Sequence, residues 1–171
     1  MAGVVHPGRR CLGQPRRSAV PMGTQLTTKH GEVETDLASG VDVGVRVLVI
    51  DGYDQRRQLT AHIVEQDRDV TVVGYADGPV RALEAVARLG ADAVVLEVQL
   101  PVAQGLDTIS VLRDDFPALA IIVCSFHGDA TTKRDALARG ADGYLVKPLS
   151  PRDLHTGLRS ALRSRSGRAL S

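Results

Sequence analysis

The sequence of 171 residues contains no tryptophan and few other aromatic residues, three Tyr and two Phe. Proteins that hold single-stranded nucleic acid stack its bases on aromatic side chains, so this composition argues against that class. The formal net charge is only +1, which excludes a bulk electrostatic attraction to nucleic acid or to a membrane surface. We therefore expect neither nucleic acid nor a membrane as a partner.

Cysteine and long apolar segments are also scarce. The two cysteines, Cys11 and Cys124, are too few for a disulfide framework. No apolar run approaches the roughly 18 residues that a membrane span requires. The arginines near the N-terminus are not followed by the apolar segment of a secretory signal. These absences predict a cytoplasmic protein.

The composition divides the chain into three parts. Residues 1–21 contain three prolines, four arginines and no acid, and residues 22–44 are polar with little periodicity. Such segments bury too little apolar surface to offset their chain entropy. The sequence therefore predicts a disordered or loosely ordered extension over 1–44, with Met22 as an alternative start. It also predicts a domain over 45–164 and a C-terminal tail over 165–171.

Short apolar runs alternate with amphipathic stretches from Val45 onward. The runs are Arg46–Ile50, Val70–Tyr75, Ala93–Leu96, Ala118–Cys124 and Tyr144–Val146. Strands that are apolar on both faces and alternate with helices indicate a parallel sheet covered on both sides. The sequence thus predicts a doubly wound α/β domain with a five-stranded parallel sheet.

Helical spacing and capping residues support this prediction. The predicted helix faces contain Leu59 and Ile63; Val80, Leu83 and Ala87; Leu106, Ile109 and Leu112; and Leu154, Leu158, Ala161 and Leu162. Asp54 is expected to cap the first helix, and Ser150 the last. Gly90 and Gly140 are expected where two helices end.

A polar residue stands at the end of four of the five apolar runs. These residues are Asp51, Glu97, Ser125 and Lys147, the last being one of only three lysines in the chain. In open α/β sheets the binding crevice lies beyond the carboxyl ends of the strands, so the four side chains are expected to converge. Carboxylates suit a hard cation such as Mg²⁺, whereas an ammonium and a hydroxyl suit phosphoryl oxygens.

The order of these motifs resembles the receiver domain of two-component response regulators over about residues 45–163. The resemblance is carried by Val47-Leu48-Val49-Ile50-Asp51, by Ala93-Val94-Val95-Leu96-Glu97 with Leu100-Pro101 and Gly105-Leu106, by Ser125, and by Gly140-Ala141-Asp142-Gly143-Tyr144-Leu145-Val146-Lys147-Pro148. It implies a flavodoxin-like sheet of order 2-1-3-4-5 and phosphorylation of an Asp after the third strand by a histidine kinase.

The resemblance also implies a role for each matching position. Asp51 corresponds to one of two adjacent acids that hold Mg²⁺, and Ser125 to the switch hydroxyl. Tyr144 corresponds to the aromatic residue that moves with the switch, although a packing role for it is equally open. Lys147 corresponds to the phosphoryl-binding lysine, followed by a cis bond to Pro148.

Three positions of this sequence depart from the family pattern. Glu97 stands where the phosphoacceptor Asp is expected, Gly52 replaces the second acid, and Phe126 follows the switch hydroxyl in place of a small residue. The loss of one carboxylate weakens a site that already depends on water ligands, so we expect no resident cofactor and at most weak Mg²⁺ binding. The extra methylene of Glu97 displaces the nucleophile, and Phe126 is expected to crowd the hydroxyl.

Two interpretations of Glu97 remain open from the sequence. It could form a standing pair with Lys147 that imitates the phosphorylated state, although one carboxylate carries less charge than a phosphoryl group. Alternatively, the pocket is degenerate and does not switch. His127 is interpreted as a solvated loop residue, and Cys124 as a buried small hydrophobe.

Only eight residues follow Arg163, so we expect a stand-alone, non-enzymatic regulator that acts through protein contacts. The expected surface is formed by the fourth helix, fifth strand and fifth helix. One alternative is a phosphorylatable receiver in a histidine-kinase phosphorelay. Another is a nucleic-acid binder that uses the arginine-rich ends, although helix-dipole stabilisation accounts for the C-terminal arginines. Hydrolase and nucleotide-binding motifs are missing.

Overall fold

A computed structural model of the chain describes residues 44–100 and 105–168. Five strands alternate with five helices along this part of the chain. Their bounds are β1 Val45–Ile50, α1 Asp54–Val64, β2 Val70–Ala76, α2 Pro79–Leu89, β3 Ala93–Leu96, α3 Gly105–Asp115, β4 Ala120–Ser125, α4 Ala130–Ala138, β5 Gly143–Val146 and α5 Pro151–Arg168. Apart from Gly44, the predicted extension lies outside the described residues.

The strands form one parallel sheet in the order β2-β1-β3-β4-β5. This topology confirms the doubly wound, five-stranded α/β fold predicted from the sequence. Ile50 pairs with Leu96, and Leu96 pairs with Val123, so β1, β3 and β4 approach the same edge of the sheet in register. The residues that follow these strands therefore begin close together.

The core consists of two apolar layers, one on each face of the sheet. Residues of β1 alternate between them, with Leu48 and Ile50 on one side and Val47 on the other. The first layer includes buried residues of α2, α3 and α4, and the second those of α1 and α5. The central strands are buried on both faces, which explains their continuous apolar runs.

Capping residues end and begin the helices largely as predicted. Gly90 has a φ of 59° and ends α2, and Gly140 has a φ of 105° just after α4. Glycine adopts this left-handed backbone without a steric penalty. At the start of α5, the Ser150 hydroxyl accepts a hydrogen bond from the Asp153 N–H at 3.0 Å.

Asp54 does not cap α1, contrary to the sequence prediction. The N-cap is Tyr53, and Asp54 stands in the first turn, where it pairs with Arg57. The reason is that the Asp51 carboxylate accepts the Tyr53 N–H at 3.0 Å and so organises the turn before the helix.

The predicted core faces of α1 and α2 are confirmed at Ile63 and Leu83, which pack against the core, and are wrong at Leu59, Val80 and Ala87. Leu59 and Val80 are exposed, whereas smaller residues of the two helices face the sheet. The buried residues are Thr60, Ala61 and Val64 in α1, and Ala82, Ala85 and Val86 in α2. Small side chains permit close approach of helix and sheet, and the larger Leu59 and Val80 then lie at the rim. The predicted faces of α3 and α5 are confirmed at Ile109, Leu112, Leu154, Leu158 and Ala161.

The last helix extends beyond the predicted domain end at residue 164. Residues 165–168 continue α5, so the predicted tail is helical over that range. The Arg165 guanidinium donates to Asp142 at 2.7 Å, which ties this turn to the β5 side of the sheet. Residues 169–171 lie outside the described part. Within residues 44–100 and 105–168, no helix is both long enough and apolar enough to cross a membrane.

Candidate functional site

Three of the four predicted strand-end side chains contact one another at the carboxyl edge of the sheet. The Lys147 Nζ lies 3.1 Å from Glu97 Oε2 and 3.5 Å from Asp51 Oδ2. These residues directly follow β5, β3 and β1, whose ends meet at this edge. The structure therefore brings Asp51, Glu97 and Lys147 together, as their positions at the strand ends predict.

The cluster is almost entirely removed from water. Asp51 is 1% exposed and Glu97 is 2% exposed, and the Lys147 side chain is 9% exposed. Buried charges are costly unless they are paired and hydrogen-bonded. Each carboxylate must therefore find its positive charge and its donors inside the protein.

Both oxygens of Glu97 have a donor. Oε2 accepts from the Lys147 ammonium, and Oε1 accepts from the backbone N–H of Gln99 at 3.2 Å. The carboxylate is thus held between β5 and the loop that follows β3. Glu97 and Lys147 are therefore paired in this structure.

Asp51 is paired with Arg56, which the sequence alone does not single out. The Nε and Nη2 atoms of Arg56 lie 3.0 Å and 2.9 Å from Asp51 Oδ1. The same oxygen accepts the Tyr53 N–H. Arg56 stands five residues after Asp51, and this spacing alone resembles an ordinary exposed helix arginine. Only the path of the β1–α1 turn places it over the carboxylate.

The predicted switch residues meet at the loop between β4 and α4. The Ser125 hydroxyl is fully buried and accepts the His127 N–H at 3.2 Å. The Tyr144 hydroxyl donates to the His127 carbonyl. Burial raises the pKa of the Tyr144 phenol, so this hydroxyl stays protonated and remains a donor at neutral pH. Ser125 and Tyr144 therefore both form hydrogen bonds with the backbone of His127.

His127 differs from its predicted environment, and Phe126 lies beside Lys147. His127 is half-buried, not solvated, and its Nε2 lies 3.0 Å from Gln99 Nε2. Phe126 is 59% exposed, and its ring lies over the Lys147 ammonium, with 5.1 Å between Nζ and the ring centre, as in a cation–π contact.

The residues present do not fit a divalent metal ion. Gly52 supplies no side-chain ligand, Asp51 Oδ1 already accepts from Arg56 and Tyr53, and both Glu97 oxygens have donors. Among the described residues, no group of three or more His, Cys, Asp or Glu side chains is arranged to hold a metal. Mg²⁺ requires near-ideal octahedral oxygen coordination, which this arrangement does not offer.

Cys124 is a buried hydrophobe, as predicted. It is 1% exposed on β4, and burial raises the pKa of its thiol to about 12. A thiol that stays protonated is a poor nucleophile. Cys124 therefore contributes to packing beneath the cluster and not to its chemistry.

Comparison with known proteins identifies the family. The sequence profile of the response regulator receiver domain matches residues 47–159. The chain is 33% identical over 115 residues to the nitrate/nitrite response regulator protein NarL of Escherichia coli, covering 67% of this chain and 53% of that protein. It is 41% identical over 107 residues to a protein-glutamate methylesterase/protein-glutamine glutaminase of Moorella thermoacetica, covering 61% of this chain and 25% of that protein.

A solved structure agrees with these relatives. The signal receiver domain of a response regulator NarL from Mycobacterium tuberculosis superposes with a TM-score of 0.62 at 26% identity, covering 72% of this chain and 98% of that one. The chain spans about half the length, or less, of the curated relatives just described. The match lies in the α/β domain that carries the Asp51, Glu97 and Lys147 cluster. The chain belongs to the response regulator receiver domain family.

Proposed function

We propose that this receiver domain transmits signals through protein–protein contacts without ordinary aspartyl phosphorylation. The observation that carries the proposal is the buried contact of 3.1 Å between Glu97 Oε2 and Lys147 Nζ. In the family, the corresponding lysine binds the phosphoryl group. Here an internal carboxylate is bonded to that lysine.

The environment of Glu97 disfavours its use as a nucleophile. The side chain is 2% exposed, and both carboxylate oxygens accept hydrogen bonds. Phosphoryl transfer requires an attacking oxygen aligned with the leaving group, together with cations that neutralise the developing charge. A nucleophile displaced by one methylene in a site poorly suited to Mg²⁺ meets neither condition.

The Glu97–Lys147 pair supports the interpretation that the pocket rests in one standing state. Tyr144 is buried in that state, with its hydroxyl bonded to the loop that also receives Ser125. One carboxylate supplies less charge than a phosphoryl group, so we propose a partial imitation of the phosphorylated form. Regulation would then come from the amount or location of the protein, not from a phosphorylation cycle.

The proposed partner surface is the face formed by α4, β5 and α5. Leu137 and Val146 are 42% and 49% exposed on this face, although both are large and apolar. Val146 immediately precedes Lys147, and Tyr144 lies two residues earlier on β5. A protein partner on this face would thus contact the strand that positions both site residues.

The arginine-rich C-terminal helix gives little support to nucleic-acid binding. Arg159 pairs with Asp67 and Asp69, and Arg165 pairs with Asp142. Charges that are neutralised within the domain contribute little to phosphate binding. We retain a protein partner, a histidine kinase among the candidates, and a non-enzymatic role. The cytoplasmic location remains a prediction.

Intact-mass analysis after incubation with acetyl phosphate and Mg²⁺ tests the absence of phosphorylation. We expect no mass increase of one phosphoryl group in the wild-type chain. A receiver domain with the usual acceptor Asp, treated in parallel, controls for the reagent. A phosphoryl adduct that disappears in Glu97→Gln would overturn the proposal and establish a receiver that is phosphorylated on glutamate.

Affinity capture from the native host tests the surface. Partner recovery is expected to fall in Val146→Glu and to persist in Leu59→Glu, which places the same charge on an exposed leucine of α1. Loss in Leu59→Glu with full recovery in Val146→Glu would move the interface to the α1 face. Unchanged partner recovery in Glu97→Gln would contradict the standing-state interpretation.

A further inference from the structure

Arg56 contacts Asp51 more extensively than an incidental surface ion pair would require. Its Nε and Nη2 atoms lie 3.0 Å and 2.9 Å from Asp51 Oδ1, and Nη2 lies 3.5 Å from the Gln99 carbonyl oxygen. The guanidinium carbon is 4.1 Å from the centre of the Tyr53 ring. The group is therefore bonded to a carboxylate, placed beside a carbonyl and stacked on an aromatic ring.

The turn before α1 fixes this position. The neighbouring Arg57 donates from Nη1 to the Asp51 carbonyl at 2.6 Å and also pairs with Asp54. The Asp51 carboxylate accepts the Tyr53 N–H. These contacts hold the first turn of α1 over the end of β1, so Arg56 reaches the carboxylate from a constrained backbone.

The charges in the pocket balance without a metal ion. Asp51 and Glu97 contribute two buried negative charges, and Lys147 and Arg56 contribute two positive charges. Only 26% of the Arg56 side chain is exposed, so its interaction with Asp51 is partly shielded from water. A divalent cation would add two further charges and would have to displace Arg56 from Asp51.

We infer that Arg56 is a resident cation of the pocket beside Lys147 and takes the place that a divalent metal ion has in the receiver family. The guanidinium neutralises the Asp51 carboxylate through directional hydrogen bonds. Because Gly52 supplies no second carboxylate, these hydrogen bonds are preferable to a metal ion at this position. The inference goes beyond the proposed function, since it concerns what neutralises Asp51 and not which protein is bound.

Metal binding by the full chain and by Arg56 variants tests this inference. The melting temperature of the wild-type chain is expected to be the same in MgCl₂ and in EDTA at matched ionic strength. Arg56→Met keeps the packing methylenes but removes the charge, and it is expected to bind Mn²⁺ at least tenfold more tightly than wild type by electron paramagnetic resonance. Adding Gly52→Asp to that variant is expected to tighten binding further.

Two variants serve as matched controls. Arg56→Lys keeps the positive charge and Arg81→Met removes an exposed arginine, so neither is expected to gain Mn²⁺ affinity. Wild-type stabilisation by Mg²⁺, or an Arg56→Met variant that folds yet binds Mn²⁺ no better than wild type, would overturn the inference. If Arg56→Met does not fold, the inference is tested by the wild-type melting temperature in MgCl₂ and in EDTA alone. A phosphoryl adduct on Glu97 would contradict the proposed function. The Mn²⁺ and Mg²⁺ measurements would still test the role of Arg56 separately.

Discussion

The Lys147 ammonium lies 3.1 Å from the Glu97 carboxylate, although the two residues are 50 positions apart in the chain. The same ammonium reaches Asp51 at 3.5 Å. One lysine after β5 thereby connects the ends of β3 and β1 across the carboxyl edge of the sheet. These ion pairs also link the ends of three strands that are not consecutive in sequence, β1, β3 and β5.

Removing the Lys147 charge is expected to destabilise the domain. Lys147→Met leaves two buried carboxylates with one remaining cation, and breaking a buried pair by removing one partner costs about 3 kcal/mol. Urea unfolding followed by circular dichroism measures the change. Lys133→Met, which removes an exposed lysine of α4, is the control and is expected to change stability little.

The double variant Lys147→Met/Glu97→Gln separates two contributions to the lost stability. One is the lost attraction between Glu97 and Lys147, and the other is the cost of leaving the Glu97 charge buried and unpaired. Neutralising Glu97 removes the carboxylate that Lys147 no longer compensates, so the double variant is expected to be more stable than Lys147→Met alone. The single variant Glu97→Gln completes the cycle, and a double variant whose loss of stability equals the sum of the two single losses would show that the Glu97–Lys147 contact carries no coupling energy.

Two glycine-to-alanine changes are expected to have opposite effects. A Cβ at Gly157 in α5 would lie 3.5 Å from Leu145 Cδ1, an ordinary contact, so the variant is expected to gain about 0.5–1 kcal/mol from helix propensity. A Cβ at Gly105, where α3 begins, would lie 2.5 Å from the Val98 Cα. Gly105→Ala is therefore expected to lose about 2 kcal/mol.

Thermal or urea unfolding of both variants checks this pair of predictions. The two glycines differ because a Cβ at Gly105 would overlap the Val98 backbone, which cannot rotate away, whereas a Cβ at Gly157 would make an ordinary contact. Full stability of Gly105→Ala would contradict the close approach of α3 to the segment following Glu97.

Asp67 is expected to make stability depend on pH. The Arg159 guanidinium and the Asp69 N–H hold the pKa of the Asp67 carboxyl below its usual value, and His155 Nδ1 lies 4.0 Å away. Because the folded-state pKa is lowered, the stabilisation is present above the unfolded pKa near 4 and is lost as pH falls through the folded value.

Asp67→Asn is the corresponding test. The variant is expected to melt about 2 °C below wild type at pH 7, with the difference shrinking as pH falls from about 5 to 2. Melting curves across that range, at low ionic strength, provide the measurement. Asp153→Asn, at the start of α5, supplies a carboxylate control away from Arg159. A difference that grows with acidity would contradict the sign.

Cys124 is expected to resist thiol reagents in the folded protein. A pKa of about 12 leaves on the order of one thiol in 10,000 ionised at pH 8, and the side chain is 1% exposed. In a Cys11→Ser background, labelling by a chromogenic disulfide is expected only in urea. Rapid labelling without urea would show that β4 opens locally at its carboxyl end.

Some sequence predictions failed because periodicity does not include side-chain size. Leu59 and Val80 have the correct helical spacing, yet the helices turn alanine and threonine toward the sheet, since small side chains permit closer packing. From the sequence alone, Arg159 and Arg165 are expected to stabilise the C-terminal end of the last helix through its dipole. Their actual partners, Asp67 and Asp142, lie on other elements of the fold.

By itself, the sequence determined the fold class and the edge of the sheet that carries the site. Apolar runs separated by helices permit few arrangements, and the carboxyl ends of parallel strands meet, so Asp51, Glu97 and Lys147 could be selected from their positions alone. Tertiary structure alone decided which charges are paired. The Arg56–Asp51 contact and the position of the Phe126 ring over Lys147 depend on the paths of two loops, which residue spacing does not specify.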